Sequence, residues 1–132
     1  GTAYFIKYEY NGGTRRLHFA RDTVGTGVQG DYYTITLGTA DFYNLILTYD
    51  TTNIRGYVNG VLQAGPTAAS GSGSGIATVF RIGMDAYGIG VYANILVDET
   101  VVWNTCLTPS EVSQVYNLGV STNASFLLNM MR

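Results

Sequence analysis

The dipeptide Asn59-Gly60, set between "NIRGYV" and "VLQA", constrains this chain more than any other feature. Both central positions of a type I′ turn need positive φ, which Asn and Gly tolerate, and that turn matches the twist of two antiparallel strands. A two-residue turn there pairs Val58 with Val61 and Tyr57 with Leu62. Upstream, Leu45, Leu47 and Tyr49 alternate with Asn44, Ile46 and Thr48, and Asp50 to Asn53 are all turn-forming types. Residues 44–49 and 54–58 are therefore predicted to be adjacent antiparallel strands. Both faces of these strands keep apolar groups, which leaves the core face open.

The same period recurs. In "YFIKYEY", Tyr4, Ile6, Tyr8 and Tyr10 face one way and Phe5, Lys7 and Glu9 the other. Asn11-Gly12-Gly13 is a turn, and "TRRLHFAR" returns with Leu17 and Phe19 opposite Arg16 and His18. A glycine-studded loop is expected over Gly25–Gly30, then a strand "YYTITL" with Tyr33, Ile35 and Leu37 on one face. Residues 65–75, "GPTAASGSGSG", read as a loop, and "TVFRIG" and "YANILVDETVVWN" as two further strands. Trp103, the lone tryptophan, lies where that last strand is apolar on both faces, and is expected in the core.

One helix interrupts the pattern. In "LTPSEVSQVYNLG", Thr108 is the N-cap, Pro109 the first helical residue and Glu111 the partner of a capping box. Leu107 and Val112 form a hydrophobic staple, Val112, Val115 and Tyr116 one apolar stripe, and Gly119 a stop. Short strands with turns every roughly 8–12 residues, plus one short helix, predict an all-β fold: a two-sheet antiparallel β-sandwich of jelly-roll type with a short helix near the C-terminus.

Composition narrows the function. A chain of 132 residues suits one domain spanning 1–132, and 46% hydrophobic against 12% charged residues is too apolar for disorder. The net charge of −2, without a basic run, argues against nucleic acid as a partner, and no apolar run approaches the about 18 residues of a membrane-inserting helix. The single cysteine, Cys106, excludes an internal disulfide and reads as a small buried filler. The chain opens on Gly1, and it is expected to be a piece of a larger protein.

"FYNLILTYDTTNIRGYVNGVLQAG", "FRIGMDAYG" and "ILVDETVVWNTCLTPSEVSQVYNLG" together resemble the ordered motifs of laminin-G-like, concanavalin-A-like jelly rolls, over roughly residues 42–119. The resemblance implies the sandwich and leaves function open, because the fold carries many activities. The eukaryotic disulfide is missing, Val101 stands where a basic residue usually follows the Asp-Glu pair, and further N-terminal strands are usual. Glucanases of this fold carry Glu-x-Asp-x-x-Glu on one strand; here Leu96 and Val101 occupy the flanking places around Asp98. Asp98 and Glu99, as strand neighbours, would point to opposite faces, whereas glycoside hydrolysis needs two carboxyls about 5–10 Å apart flanking one bond. The chain is therefore expected not to be an enzyme.

The remaining expectations concern binding. Tyr32, Tyr57, Tyr87 and Tyr92 are candidate ligand-binding tyrosines, since the side chain offers an apolar face and a polar tip. Asp50, Asp85 and Asp98 are candidate donors to calcium, which takes about six to eight oxygens; no other cofactor is implied. His18 reads as solvent-facing, and Asn123-Ala124-Ser125 matches a glycosylation acceptor that is frequent by chance. The expected function is a non-catalytic binding or adhesion module recognising glycan or protein, within an extracellular, cell-surface or virion-associated protein. The competing reading is a self-associating structural module, with Tyr4, Ile6, Phe126 and Leu128 at strand edges that pair between copies into a homo-oligomer.

Overall fold

A computed structural model describes residues 2–23, 25–36, 42–71, 82–83 and 96–118. Two antiparallel three-stranded sheets and one helix account for its regular structure. The first sheet runs β1 (Thr2–Asn11), β2 (Thr14–Thr23), β3 (Gly27–Thr34) in spatial order. The second runs β4 (Leu45–Tyr49), β5 (Asn53–Val58), β6 (Val61–Ala68). Helix α1 covers Pro109–Leu118.

The sheets face each other, β1 over β4, β2 over β5 and β3 over β6. Alternation along β2 sends Leu17 and Phe19 inward, where they meet Ile35, Val58 and Ala64. Leu45, Leu47, Tyr33 and Tyr43 close the edges of this core. Phe19 lies flat against Gly56, and any Cβ on that glycine would fall among the ring atoms. Arg21 is also buried between the sheets, donating to the Tyr49 hydroxyl, to the Gly71 carbonyl at 2.5 Å and to Thr23 Oγ1 at 3.0 Å.

The outer face of the second sheet is covered as well. Ile46 and Tyr57 point away from the first sheet and pack with Leu107, Val112 and Val115, with Trp103 against them. The expected helix therefore forms a third layer. Its cap is as predicted: Glu111 Oε2 accepts from the Thr108 backbone N–H at 2.7 Å and from its hydroxyl at 2.8 Å, and the Glu111 N–H donates to Thr108 Oγ1 at 3.3 Å.

The predicted hairpin stands in register, with Val58 opposite Val61 and Tyr57 opposite Leu62, and with positive φ at Asn59 and Gly60. Four expectations need correction. The strand β3 starts at Gly27, not after Gly30, because Gly30 sits where the Phe19 carbonyl and Ala20 leave no room for a side chain. The strand β6 continues through Gly65 to Ala68 by taking register shifts opposite Ile54–Tyr57, so that part of the expected loop is ladder. Residues 96–103 form no strand: Leu96, Val97 and Val102 are exposed, and Glu99 has φ of +42°, which interrupts an extended segment. His18 is buried rather than solvent-facing.

Leu37, residues 72–81 with most of "TVFRIG", residues 92–95, Gly119, the acceptor 123–125, Phe126 and Leu128 lie outside the described residues. Among the described residues no helix is long and apolar enough to cross a membrane.

Candidate binding face

With α1 over the second sheet, the outward face of the first sheet holds clustered polar side chains among the described residues. The alternation that drives Leu17 and Phe19 inward sends Arg16 and His18 outward. Pairing places His18 between Lys7 of β1 and Tyr32 of β3, and Arg16 between Glu9 and Thr34. Six side chains thus meet on three strands.

Arg16 Nε donates to Glu9 Oε1 at 2.6 Å, and Lys7 Nζ lies 3.5 Å from Glu9 Oε2. The Arg16 guanidinium also stands 3.9 Å from the centre of the Tyr32 ring, a cation–π contact. His18 stacks on the same ring at 3.9 Å and 22°, and Phe5 meets the imidazole edge-on at 5.4 Å. The result is a shelf: aromatic rings form its floor, and two cations and one carboxylate its rim.

The electrostatics follow from the packing. Burial pushes the His18 pKa below its ordinary value, the Arg16 and Lys7 charges push the same way, and Glu9 and Asp31 oppose them. The imidazole is therefore neutral near pH 7. Burial raises the Glu9 carboxyl, but hydrogen bonds and charges from Arg16 and Lys7 outweigh it, so Glu9 stays ionised. Such a shelf can hydrogen-bond hydroxyls and carboxylates. It holds no nucleophile beside a base and no pair of carboxyls across one bond.

Tyr32 is the expected site residue that the structure brings to this shelf. It is 42% exposed, with its ring engaged by Arg16 and His18, so its edge and hydroxyl are what it offers to a ligand. Tyr57 is 1% exposed beneath α1 and offers no face to solvent; its place in the β5–β6 hairpin points it at the helix. Tyr87, Tyr92 and Asp85 lie outside the described residues.

Asp50 organises the turn after β4. Its Oδ1 accepts from the Thr52 N–H (3.0 Å), the Thr52 hydroxyl (2.7 Å) and the Asn53 N–H (2.7 Å), and its Oδ2 from Arg55 at 2.5 Å. The Arg55 bond foremost, and then those from Thr52 and Asn53, hold its pKa far below the usual carboxylate range. Both oxygens are committed to donors, the opposite of what a cation needs. Asp98 is exposed on the irregular segment. Among the described residues no three His, Cys, Asp or Glu side chains group as metal ligands. Cys106 is half-buried beside the helix cap, its thiol 3.7 Å from the Leu107 carbonyl.

Arg16, His18, Lys7 and Glu9 are not marked as site residues by the sequence, because each looks like an ordinary solvated position on its own strand. Their convergence needs the β1–β2–β3 register. One signal was present: a strand with apolar inner residues carries Arg and His at i and i+2 on its polar face, beside a strand carrying Lys and Glu at the same spacing.

No curated protein and no solved structure matches the chain. A laminin-G-type model, described as the concanavalin A-like lectin/glucanases superfamily, matches residues 1–113. That span includes both sheets and the shelf, and the chain belongs to the concanavalin A-like lectin/glucanases superfamily.

Proposed function

We propose that this domain is a non-catalytic binding module that recognises a glycan or protein through the outward face of the first sheet. The observation that supports the reading is the shelf of Lys7, Glu9, Arg16, His18 and Tyr32 on one sheet face. A flat aromatic and cationic surface, already organised by cross-strand contacts, loses little freedom on binding. The parent protein in this reading is secreted, displayed on a cell surface or part of a virion.

Binding of the purified domain to a glycan library and to candidate surface proteins is the test. Arg16→Ala and Tyr32→Ala should each weaken a retained ligand by about tenfold, the scale of one hot-spot side chain, with little change in melting temperature. Repeating the assay with a calcium chelator tests whether the ion has a part. Release of reducing ends from any bound glycan, lost on Asp98→Asn or Glu99→Gln, would overturn the non-catalytic reading.

A further inference from the structure

On the shelf, two cations outnumber one carboxylate. Lys7 and Arg16 against Glu9 leave one net positive charge, on a chain whose own net charge is −2. Arg16 commits its Nε to Glu9, and among the described residues its two Nη groups have no partner. The side chains of Lys7 and Arg16 are 50% and 27% exposed, so both cations reach solvent. A guanidinium fixed through its Nε and against an aromatic ring keeps its paired Nη donors in one plane, the geometry that a carboxylate accepts.

Tyr32 favours an acidic peptide over a sugar as the source of that carboxylate. The Arg16 guanidinium and the His18 imidazole both lie 3.9 Å from the centre of its ring, and Phe5 meets the imidazole edge-on. The large apolar area of an aromatic ring is its face, and here the face that would carry a sugar is already engaged. Charge is what the shelf has left to offer, and its complement is a run of carboxylates.

His18 lies within this cluster, 7% exposed, paired across the strands with Lys7 and Tyr32. Among the described residues, the titratable and charged groups that face it are Lys7 and Glu9 of β1, Arg16 of β2, and Asp31 and Tyr32 of β3. Burial disfavours the imidazolium most, Arg16 and Lys7 add to that, and Glu9 and Asp31 oppose it. A carboxylate bound at the rim brings a further negative charge beside Glu9 and favours the imidazolium. By reciprocity, the imidazolium favours the carboxylate to the same degree.

We propose that the shelf holds the carboxylates of an acidic segment of a partner protein at Arg16 and Lys7, and that proton uptake by His18 tightens the hold. This rests on the reading of the first sheet as the binding face, and adds its ligand chemistry and its control. Peptide carboxylates stay ionised down to about pH 4–5, so below the ordinary histidine value of 6.5 the added charge still meets an anion.

Hexaglutamate is the probe, titrated into the chain at about pH 7.5 and pH 5.5, with the fold followed by circular dichroism at both. Affinity should rise about three- to tenfold at the lower pH, the scale of one added charge near the surface. His18 is the single histidine, so its ring-proton NMR signals report its own titration, and saturating hexaglutamate should move that midpoint to higher pH. Arg16→Gln and Lys7→Gln should each weaken binding about three- to tenfold. His18→Phe, which keeps a ring against Tyr32, should bind hexaglutamate equally at both pH values. Hexaglutamate that fails to bind wild type, or binds it equally at both pH values, overturns the inference. So does an oligoglucuronate that binds more tightly than hexaglutamate, because the carboxylate is then a sugar's. Binding that ignores both Arg16→Gln and Lys7→Gln overturns the inference and the binding face together. A neutral glycan retained through Tyr32 with no response to pH overturns the inference alone and leaves the binding-module reading standing.

Discussion

Phe19 and Gly56 are two halves of one contact: the ring from β2 lies where a side chain of β5 would otherwise project. Gly56 has no positive φ, so alanine is excluded by the ring and not by the backbone. Gly56→Ala should cost about 1–3 kcal/mol by overpacking. Phe19→Ala should cost about 3–5 kcal/mol by leaving a cavity. Paired with Phe19→Leu, the glycine substitution should cost less than the two single costs summed, a coupling that a urea-denaturation double-mutant cycle measures.

The Tyr57 hydroxyl is buried beneath α1 with no hydrogen-bond partner among the described residues. A buried unpaired hydroxyl carries its desolvation penalty without return. Tyr57→Phe should therefore hold or raise stability, by up to about 1 kcal/mol. A fall in the urea midpoint would show that the hydroxyl is bonded in solution.

Thr108 closes α1 through a reciprocal cap, and α1 shields the outer face of the second sheet. Thr108→Ala should cost about 1 kcal/mol. The same variant should raise the fluorescence response of Trp103 to a neutral quencher, because Trp103 packs against the cluster that the helix covers.

His18 makes stability depend on pH. Burial, then the charges of Arg16 and Lys7, depress its pKa in the folded chain below the ordinary 6.5. The unfolded chain thus takes up a proton at higher pH than the folded one. This stabilisation is fully present above pH 6.5 and is lost as pH falls through the folded value. Melting temperature should drop as pH falls below about 6.5, and His18→Phe should flatten that part of the profile. An unchanged slope in His18→Phe would place the titrating group elsewhere.

How far these features were legible depends on how local their causes are. The β5–β6 register and the α1 cap are set by residues within a few positions of one another, and both stand as read from Asn59-Gly60 and from Thr108 with Glu111. The core face of the second sheet was not legible, because both faces are covered, one by β2 and one by α1, and alternation carries no preference there. Gly30 looked like loop because its reason, the closeness of Ala20 on the next strand, is not local. Tyr57 looked like a surface ligand group for the same reason. The shelf itself was half visible: Tyr32 was chosen, while Arg16 and His18, which hold its ring, become partners only through the pairing of β2 with β3.

The placement of β5 has a kinetic consequence. It is the middle strand of its sheet, with β4 and β6 bonded on either side, the Phe19 cluster below and the α1 cluster above. An amide there reaches water only when a neighbouring strand and a covering layer have both let go. The amides of Ile54, Tyr57 and Val58 should therefore exchange with deuterium last, at rates set by global opening. Those of Tyr4 and Tyr8, on β1, which has β2 on one side only among the described residues, should exchange sooner. The two strands, which the sequence writes in nearly the same alternating hand, thus hold their protons for very different times.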